Sequence, residues 1–176
     1  MALSELINLL SGVIQGSSIG PVMFLMYIDG LAKLLEHHGI IAKLFADDVK
    51  IYLIIKNDLD VSKLQTALDL IADWANDWQL SVSVDKCSVL KIGCGTAVDA
   101  DFILSGNVLP TVTHCRDLGV TTVSDLSSTQ YISEIVSKAH QRTNCIVRSF
   151  LSGDIHLLVR AFIVYVRPIV EYNSVI

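Results

Sequence analysis

The sequence is short of charge, and its few charges form no basic surface. Charged residues make up 18% of the 176 residues, and the formal net charge is −5. A protein that binds nucleic acid by itself needs a positively charged face, because phosphate contacts dominate that affinity. The lysines and arginines form no such stripe. We therefore expect this chain alone to bind nucleic acid weakly, with a steep dependence on salt concentration.

Several other patterns are missing. The four cysteines include no C-x-x-C pair and no zinc-like spacing to the five histidines, which favours free thiols. The N-terminus carries Glu5 and lacks the basic start of a signal peptide. The longest apolar stretches are interrupted by Asp29, or by Arg160, Arg167 and Pro168, which argues against a membrane span. We expect a soluble intracellular protein, nuclear or cytoplasmic, with no membrane partner.

Apolar residues are abundant. They make up 52% of the sequence, which is ample for a hydrophobic core and excludes a disordered chain. This fraction exceeds that of an average soluble domain. We expect part of the apolar surface to be covered by further chain or by a partner.

Two adjacent carboxylates, Asp47 and Asp48, stand between two apolar runs in the stretch KLFADDVKIYL, residues 43–53. Like charges side by side repel, so a buried pair needs a cation or hydrogen bonds. One interpretation is a solvated hairpin turn, because Asp is a common turn residue. The other is a site for a divalent metal. The stretch alone favours the turn, and the two interpretations are geometrically compatible.

Hydrophobic periodicity predicts alternating helices and strands. Helices are expected over 22–38, 58–80, 130–150 and 155–172. Strands are expected over 41–46 and 49–55, on both sides of a turn at Asp85-Lys86 within 80–93, in a hairpin around Gly106-Asn107, and over 115–123. This order predicts an α+β fold, with an antiparallel sheet, packed helices and a helical C-terminal extension.

Five segments occur in an order and spacing known from one family. They are SGVIQGSSIGP (11–21), LFADD (44–48), LSVSVDKCSVLKIG (80–93), GNVLP with CRDLGV (106–120) and YVRPIVEYNSV (165–175). Together they resemble the reverse transcriptase of non-LTR (LINE-type) retrotransposons, especially the jockey-like group. A group II intron maturase or a telomerase-like polymerase fits less well, because of the RPIVEY and DLGV segments.

The resemblance implies an RNA-directed DNA polymerase that acts by two-metal nucleotidyl transfer. Asp47 would be the main Mg²⁺ ligand and Asp48 the accessory one, in agreement with the preference of Mg²⁺ for carboxylate oxygens. The implied partners are an RNA template, a DNA primer and dNTP. Nuclear action is implied by the family alone.

Other site residues follow from the same resemblance. Gln15 and Gly16 would line the nucleotide pocket, although a plain loop before a helix is the alternative. Phe45 and Ala46 would lie beside the primer end. Lys86 would lie near the pyrophosphate leaving group, or it is simply a lysine in a surface turn.

The resemblance also implies a division of the chain. Residues 1–125 correspond to part of a polymerase palm, with Leu118 and Gly119 at the primer grip. Residues 126–176 correspond to the helical start of the thumb. The family's upstream catalytic Asp precedes the segment at 11–21, and no Asp occurs in the first ten residues. We therefore expect a fragment that lacks the fingers and the first catalytic strand, and that is inactive by itself.

The sequence is also compatible with a function of a different class. The chain could be a non-catalytic remnant that at most binds a protein or a nucleic acid.

Overall fold

The computed structural model of the chain describes residues 16–93, 100–150 and 153–174. These residues fall into two compact units, one drawn from residues 1–84 and 97–108 and the other from residues 85–96 and 109–176. The helices of the described ranges are α1 (Gly20–His37), α2 (Asp58–Asp77), α3 (Thr129–Ser149), α4 (Ile155–Tyr165) and α5 (Arg167–Glu171). The strands are β1 (Ile41–Phe45), β2 (Asp48–Tyr52), β3 (Val89–Leu90), β4 (Ile103–Leu104), β5 (Asn107–Val108), β6 (Thr111–Val112), β7 (His114–Asp117) and β8 (Val120–Val123).

The strands form four separate ribbons within the described residues. Three of the pairs, β1–β2, β4–β5 and β7–β8, are antiparallel, whereas β3 and β6 pair in parallel. The predicted antiparallel sheet is therefore not formed as one sheet in the described residues, although three of its four strand pairs are antiparallel. Four of the eight strands are only two residues long, so their ladders are too short to extend a sheet. The mixture of helices and small sheets nevertheless confirms the predicted α+β class.

The core of the first unit lies between α1 and α2. Pro21 stands in the first turn of α1, where its missing N–H costs no hydrogen bond. Ile28, Leu31 and Leu35 follow at helical spacing and are buried. They share one hydrophobic cluster with α2 residues that include Trp74. This cluster forms the floor on which the first hairpin packs.

The β1–β2 hairpin confirms the two strands predicted on either side of the paired carboxylates. Side chains alternate along a strand, so one face of the ribbon can be apolar and the other solvated. Ala42, Leu44, Val49 and Ile51 form the inner face and pack against the core cluster. Their packing fixes the position and direction of the hairpin tip relative to this core.

A second, shorter hairpin is fastened to α2 by one side chain. The Gln65 Nε2 donates to the Ile103 carbonyl oxygen over 2.8 Å, and the Gln65 Oε1 accepts from the Ile103 N–H over 2.9 Å. Both backbone groups of this β4 residue are thereby satisfied. The predicted hairpin is confirmed, with Ser105 and Gly106 between its strands.

The chain between α2 and β3 differs from its prediction. Leu80 and Val82 pack against the core of the first unit, but no strand pairs with them in the described residues. The predicted first strand of 80–93 is therefore wrong. A short 3₁₀ turn, Val84–Lys86, stands where the turn was expected.

Two further elements of the second unit differ from prediction. Residues 115–123 form most of a hairpin, because Leu118 and Gly119 turn the chain between β7 and β8. The expected helix over 155–172 is broken into α4 and α5 at Val166. Pro168 explains the break, because it has no N–H to donate and its ring crowds the preceding turn.

The second unit is organised around α3, which packs against α4, α5 and β8. Its buried residues include Tyr131, Ala161 and Val166. The Thr121 hydroxyl on β8 donates to a Glu134 carboxylate oxygen on α3 over 3.0 Å. This bond satisfies the one buried polar side chain among the described residues. No helix in the described ranges is long and apolar enough to cross a membrane.

The start of α2 gives a test of this fold. The Asn57 side chain accepts from the Asp60 N–H over 3.1 Å, and the Asp60 carboxylate accepts from the Asn57 N–H over 3.2 Å. This is a reciprocal capping box. We expect Asn57→Ala to lower the free energy of unfolding by about 1 kcal/mol, measured by urea denaturation. Asn76→Ala makes the same change near the end of α2 and should cost nothing; an equal loss in both variants would contradict the cap.

Candidate active site

The paired carboxylates stand at the tip of the β1–β2 hairpin. Ala46 and Asp47 form its two-residue turn, and Asp48 is the first residue of β2, opposite Phe45. Both carboxylates are exposed. Neither forms a hydrogen bond or an ion pair with the described residues. Among the described residues, only the backbone holds them in position, and their side chains are open to solvent.

The turn contains a backbone conformation that is unusual for its residue. Ala46 has a φ of +52°, a region that Gly adopts readily and that costs other L-residues roughly 1–2 kcal/mol. A positive φ in a two-residue hairpin turn matches the twist of the flanking strands. Ala46 therefore carries a strain that the flanking ribbon offsets.

The outer face of this hairpin combines aromatic and cationic side chains. Phe45 is 62% exposed and Tyr52 is 46% exposed. Lys43 and Lys50 lie directly opposite each other between them. Alternation places Asp48 on the same face as Phe45, beside the Asp47 turn. The hairpin tip is therefore acidic, whereas the middle of the same face is basic.

The chemistry of the two carboxylates suits Mg²⁺, which is typically held by one or two carboxylates plus water and substrate phosphates. The described residues contain no group of three or more His, Cys, Asp or Glu side chains that could hold a metal ion. Asp47 and Asp48 would thus supply part of a coordination shell. Further oxygen ligands would have to come from elsewhere.

Only one of the two predicted nucleotide-pocket residues lies in the part of the chain that the structure describes. Gln15 lies outside the described residues. Gly16 is exposed, has a φ of +84°, and would have open space around an added Cβ. The positive φ favours Gly at this position. Gly16 lies in the exposed turn that precedes α1.

Lys86 ends the 3₁₀ turn Val84–Lys86 and is exposed. It belongs to the second unit, whereas the carboxylates belong to the first. Cys87 follows it, and partial burial raises the pKa of the Cys87 thiol. A raised pKa keeps this thiol protonated at neutral pH, so Cys87 is a poor nucleophile.

The predicted primer-grip residues form the turn of the β7–β8 hairpin. Leu118 has a φ of +45° and Gly119 a φ of +88°, and positive φ at both positions is what a type I′ turn requires. The Tyr172 hydroxyl donates to the Leu118 carbonyl oxygen over 2.6 Å. Sequence reasoning missed Tyr172, because no periodicity links residues 54 positions apart; its only signal was its place in the segment YVRPIVEYNSV.

Comparison with known proteins assigns the chain to a class. The family described as reverse transcriptase (RNA-dependent DNA polymerase) matches residues 4–142. The chain therefore belongs to the reverse transcriptase family. Members of this family use a divalent metal, and they act on a nucleic-acid template and nucleotides.

One relative gives a finer comparison. The chain is 24% identical over 131 residues to the "RNA-directed DNA polymerase from mobile element jockey" of Drosophila melanogaster. The alignment covers 71% of this chain and 14% of that protein, so the chain spans about one-seventh of its relative. This match confirms the resemblance to non-LTR retrotransposon reverse transcriptases. No solved structure matches the chain.

The strain at Ala46 can be measured by substitution. We expect Ala46→Gly to raise the free energy of unfolding by up to about 1 kcal/mol, because relief of the positive φ exceeds the added chain entropy. Ala42→Gly on β1 should have the opposite sign, because it adds entropy and removes a packed methyl group. Denaturant unfolding of both variants checks this; a loss of stability in both would show that Ala46 is not strained.

Proposed function

We propose that this chain carries the metal-binding hairpin of an RNA-directed DNA polymerase from a non-LTR retrotransposon. One observation supports this most directly. In a chain of the reverse transcriptase family, two adjacent carboxylates stand at the exposed tip of a hairpin whose other face is packed on a core, and neither has a partner among the described residues. The mutual repulsion of such carboxylates adds nothing to stability, whereas a cation would use both.

The proposed assignment of chain segments to polymerase subdomains follows the family pattern. Residues 1–125 would be part of the palm, and residues 126–176 the start of the thumb. A thumb guides a duplex by backbone shape and charge rather than by base sequence. The proposed substrates are an RNA template, a DNA primer and dNTP, and the proposed compartment is intracellular, with nuclear action.

Each residue of the site has one task in this proposal. Asp47 is the main metal ligand and Asp48 the accessory one. Bound Mg²⁺ would neutralise the triphosphate and activate the primer hydroxyl. Phe45 and Ala46 lie at the same tip and would contact the primer end.

The remaining assignments lie on other segments. Gln15 and Gly16 would contact the incoming nucleotide, because a Gly allows the substrate to approach the backbone closely. Lys86 would meet the negative charge that develops on pyrophosphate. Leu118 and Gly119 would hold the primer strand.

The 176-residue polypeptide should not extend a primer by itself. Two carboxylates on one hairpin provide too few oxygen ligands to clamp two ions. Primer extension on an RNA template with Mg²⁺ or Mn²⁺ measures this, with an active reverse transcriptase as the positive control. Template-dependent extension above background would show that the chain completes its own site.

Metal affinity tests the carboxylates without any need for activity. We expect Mn²⁺ to broaden the NMR signals of residues 45–49, and Asp47→Asn to weaken Mn²⁺ binding by at least about tenfold, because the amide keeps the shape but loses the charge. Asp48→Asn should cost less. Melting temperature should stay constant or rise slightly, since neutralising one carboxylate removes repulsion.

Asp73→Asn on the exposed face of α2 is the matched control and should leave Mn²⁺ binding unchanged. An Asp47→Asn protein that keeps its Mn²⁺ affinity but melts at a lower temperature would assign Asp47 to a structural turn. In a longer polypeptide that also carries the family's upstream catalytic segment, Asp47→Asn should abolish primer extension, and Asp48→Asn should reduce it less.

A further inference from the structure

The chain after α5 contacts the turn of the β7–β8 hairpin. The Tyr172 hydroxyl donates to the Leu118 carbonyl oxygen over 2.6 Å. The Tyr172 ring lies against the next residue, because a Cβ added to Gly119 would stand 3.4 Å from a ring carbon. Tyr172 therefore contacts both residues of the turn. We call residues 172–174 the strap.

The strap is itself attached to α3. The Tyr131 hydroxyl donates to the Tyr172 carbonyl oxygen over 3.1 Å, and Tyr131 is only 6% exposed. Tyr131 lies in the first turn of α3, the helix around which the second unit is organised. The two hydrogen bonds therefore act in series, from a buried tyrosine to the strap and from the strap to the hairpin turn.

A separate contact attaches the hairpin to the same helix. The Thr121 hydroxyl on β8 donates to a Glu134 carboxylate oxygen over 3.0 Å. Glu134 lies about one helical turn after Tyr131. The hairpin is therefore attached to the start of α3 twice, directly through β8 and indirectly through the strap. Release of the strap would leave the direct contact in place.

The strap has the features of a segment that opens locally. Its three residues are all exposed. The backbone N–H groups of Tyr172 and Ser174 donate to carbonyl oxygens of α5, the helix that the strap directly follows. In the described part of the chain, the two tyrosine hydroxyls thus make the only hydrogen bonds between the strap and other elements. Segments with few buried contacts and exposed hydrogen bonds open at a small fraction of the free energy of global unfolding.

We propose that the strap opens and closes over the β7–β8 turn as one local conformational transition of the second unit. In the closed state the Tyr172 hydroxyl holds the Leu118 carbonyl group. In the open state the turn is free, while the contact between Thr121 and Glu134 keeps β8 on α3. The proposal concerns the conformation of the second unit and stands independently of the proposed function.

Tyr172→Phe tests the proposal, because it removes the hydroxyl and keeps the ring. The closed state loses one hydrogen bond and the open state loses none, so the open state should become about three- to fivefold more populated. We expect hydrogen exchange of the β7 and β8 amides, followed by NMR, to become faster by the same factor. The amides of α4 should keep their exchange rates, because the opening is local.

A double variant tests whether the two hydrogen bonds act in series. Tyr131→Phe should also accelerate exchange in β7 and β8, because it frees the strap from α3. The Tyr131→Phe/Tyr172→Phe protein should exchange at most about fivefold faster than the unsubstituted chain, since both changes release the same strap, whereas independent bonds would multiply their effects. Tyr165→Phe is the matched control. It removes a hydroxyl on α4 that has no hydrogen bond among the described residues, and it should change no exchange rate.

Three results would overturn the proposal. Equal acceleration of the α4 amides would show that Tyr172→Phe destabilises the whole second unit. Unchanged exchange in β7 and β8 would show that the strap does not control the hairpin. A double variant whose effect equals the product of the single effects would show two independent contacts. If Tyr172→Phe fails to fold by circular dichroism, Tyr131→Phe must give the local pattern, and failure of both to fold would contradict a local opening.

Discussion

The packing of one face of the β1–β2 hairpin on the α1–α2 core is the constraint on which the candidate site depends. A two-stranded ribbon by itself is marginal in water, so the inner residues Leu44, Val49 and Ile51 give this hairpin its definition. Once that face is buried, the pleat forces Phe45 and Asp48 outward. The turn residue Asp47 then has nowhere to lie except at the exposed tip.

The hairpin tip is unfavourable in conformational and electrostatic free energy, and the packing of the buried face offsets this cost. Ala46 adopts a positive φ, and Asp47 and Asp48 place like charges next to each other. Both features cost free energy in the absence of a ligand. Under the proposed function, a bound divalent cation would compensate the two neighbouring charges. A turn chosen only for stability would have placed Gly at position 46.

The second unit repeats this arrangement with polar contacts. Leu118 and Gly119 are both at positive φ, and the bond from Tyr172 holds their peptide plane. Here a hydrogen-bonded pair of tyrosines replaces the apolar floor. Both hairpins thus have a two-residue turn with a residue at positive φ. The rest of the unit holds one side of each turn, and the other side is exposed to solvent.

The sequence by itself determined the α+β class, the hairpin around LFADD and the family, because alternation, helical periodicity and ordered motifs are local signals. Pro168 was also a local signal for the break in the last helix, which the helical periodicity alone did not show. Only the tertiary structure decided that residues 115–123 turn at Leu118–Gly119 and that the described strands stay in separate ribbons. Leu-Gly is a weak turn signal beside Asn-Gly, and local patterns do not say which strands pair. The contact of Tyr172 with Leu118 spans 54 positions, and such a contact exists only once α3 and α5 have packed together.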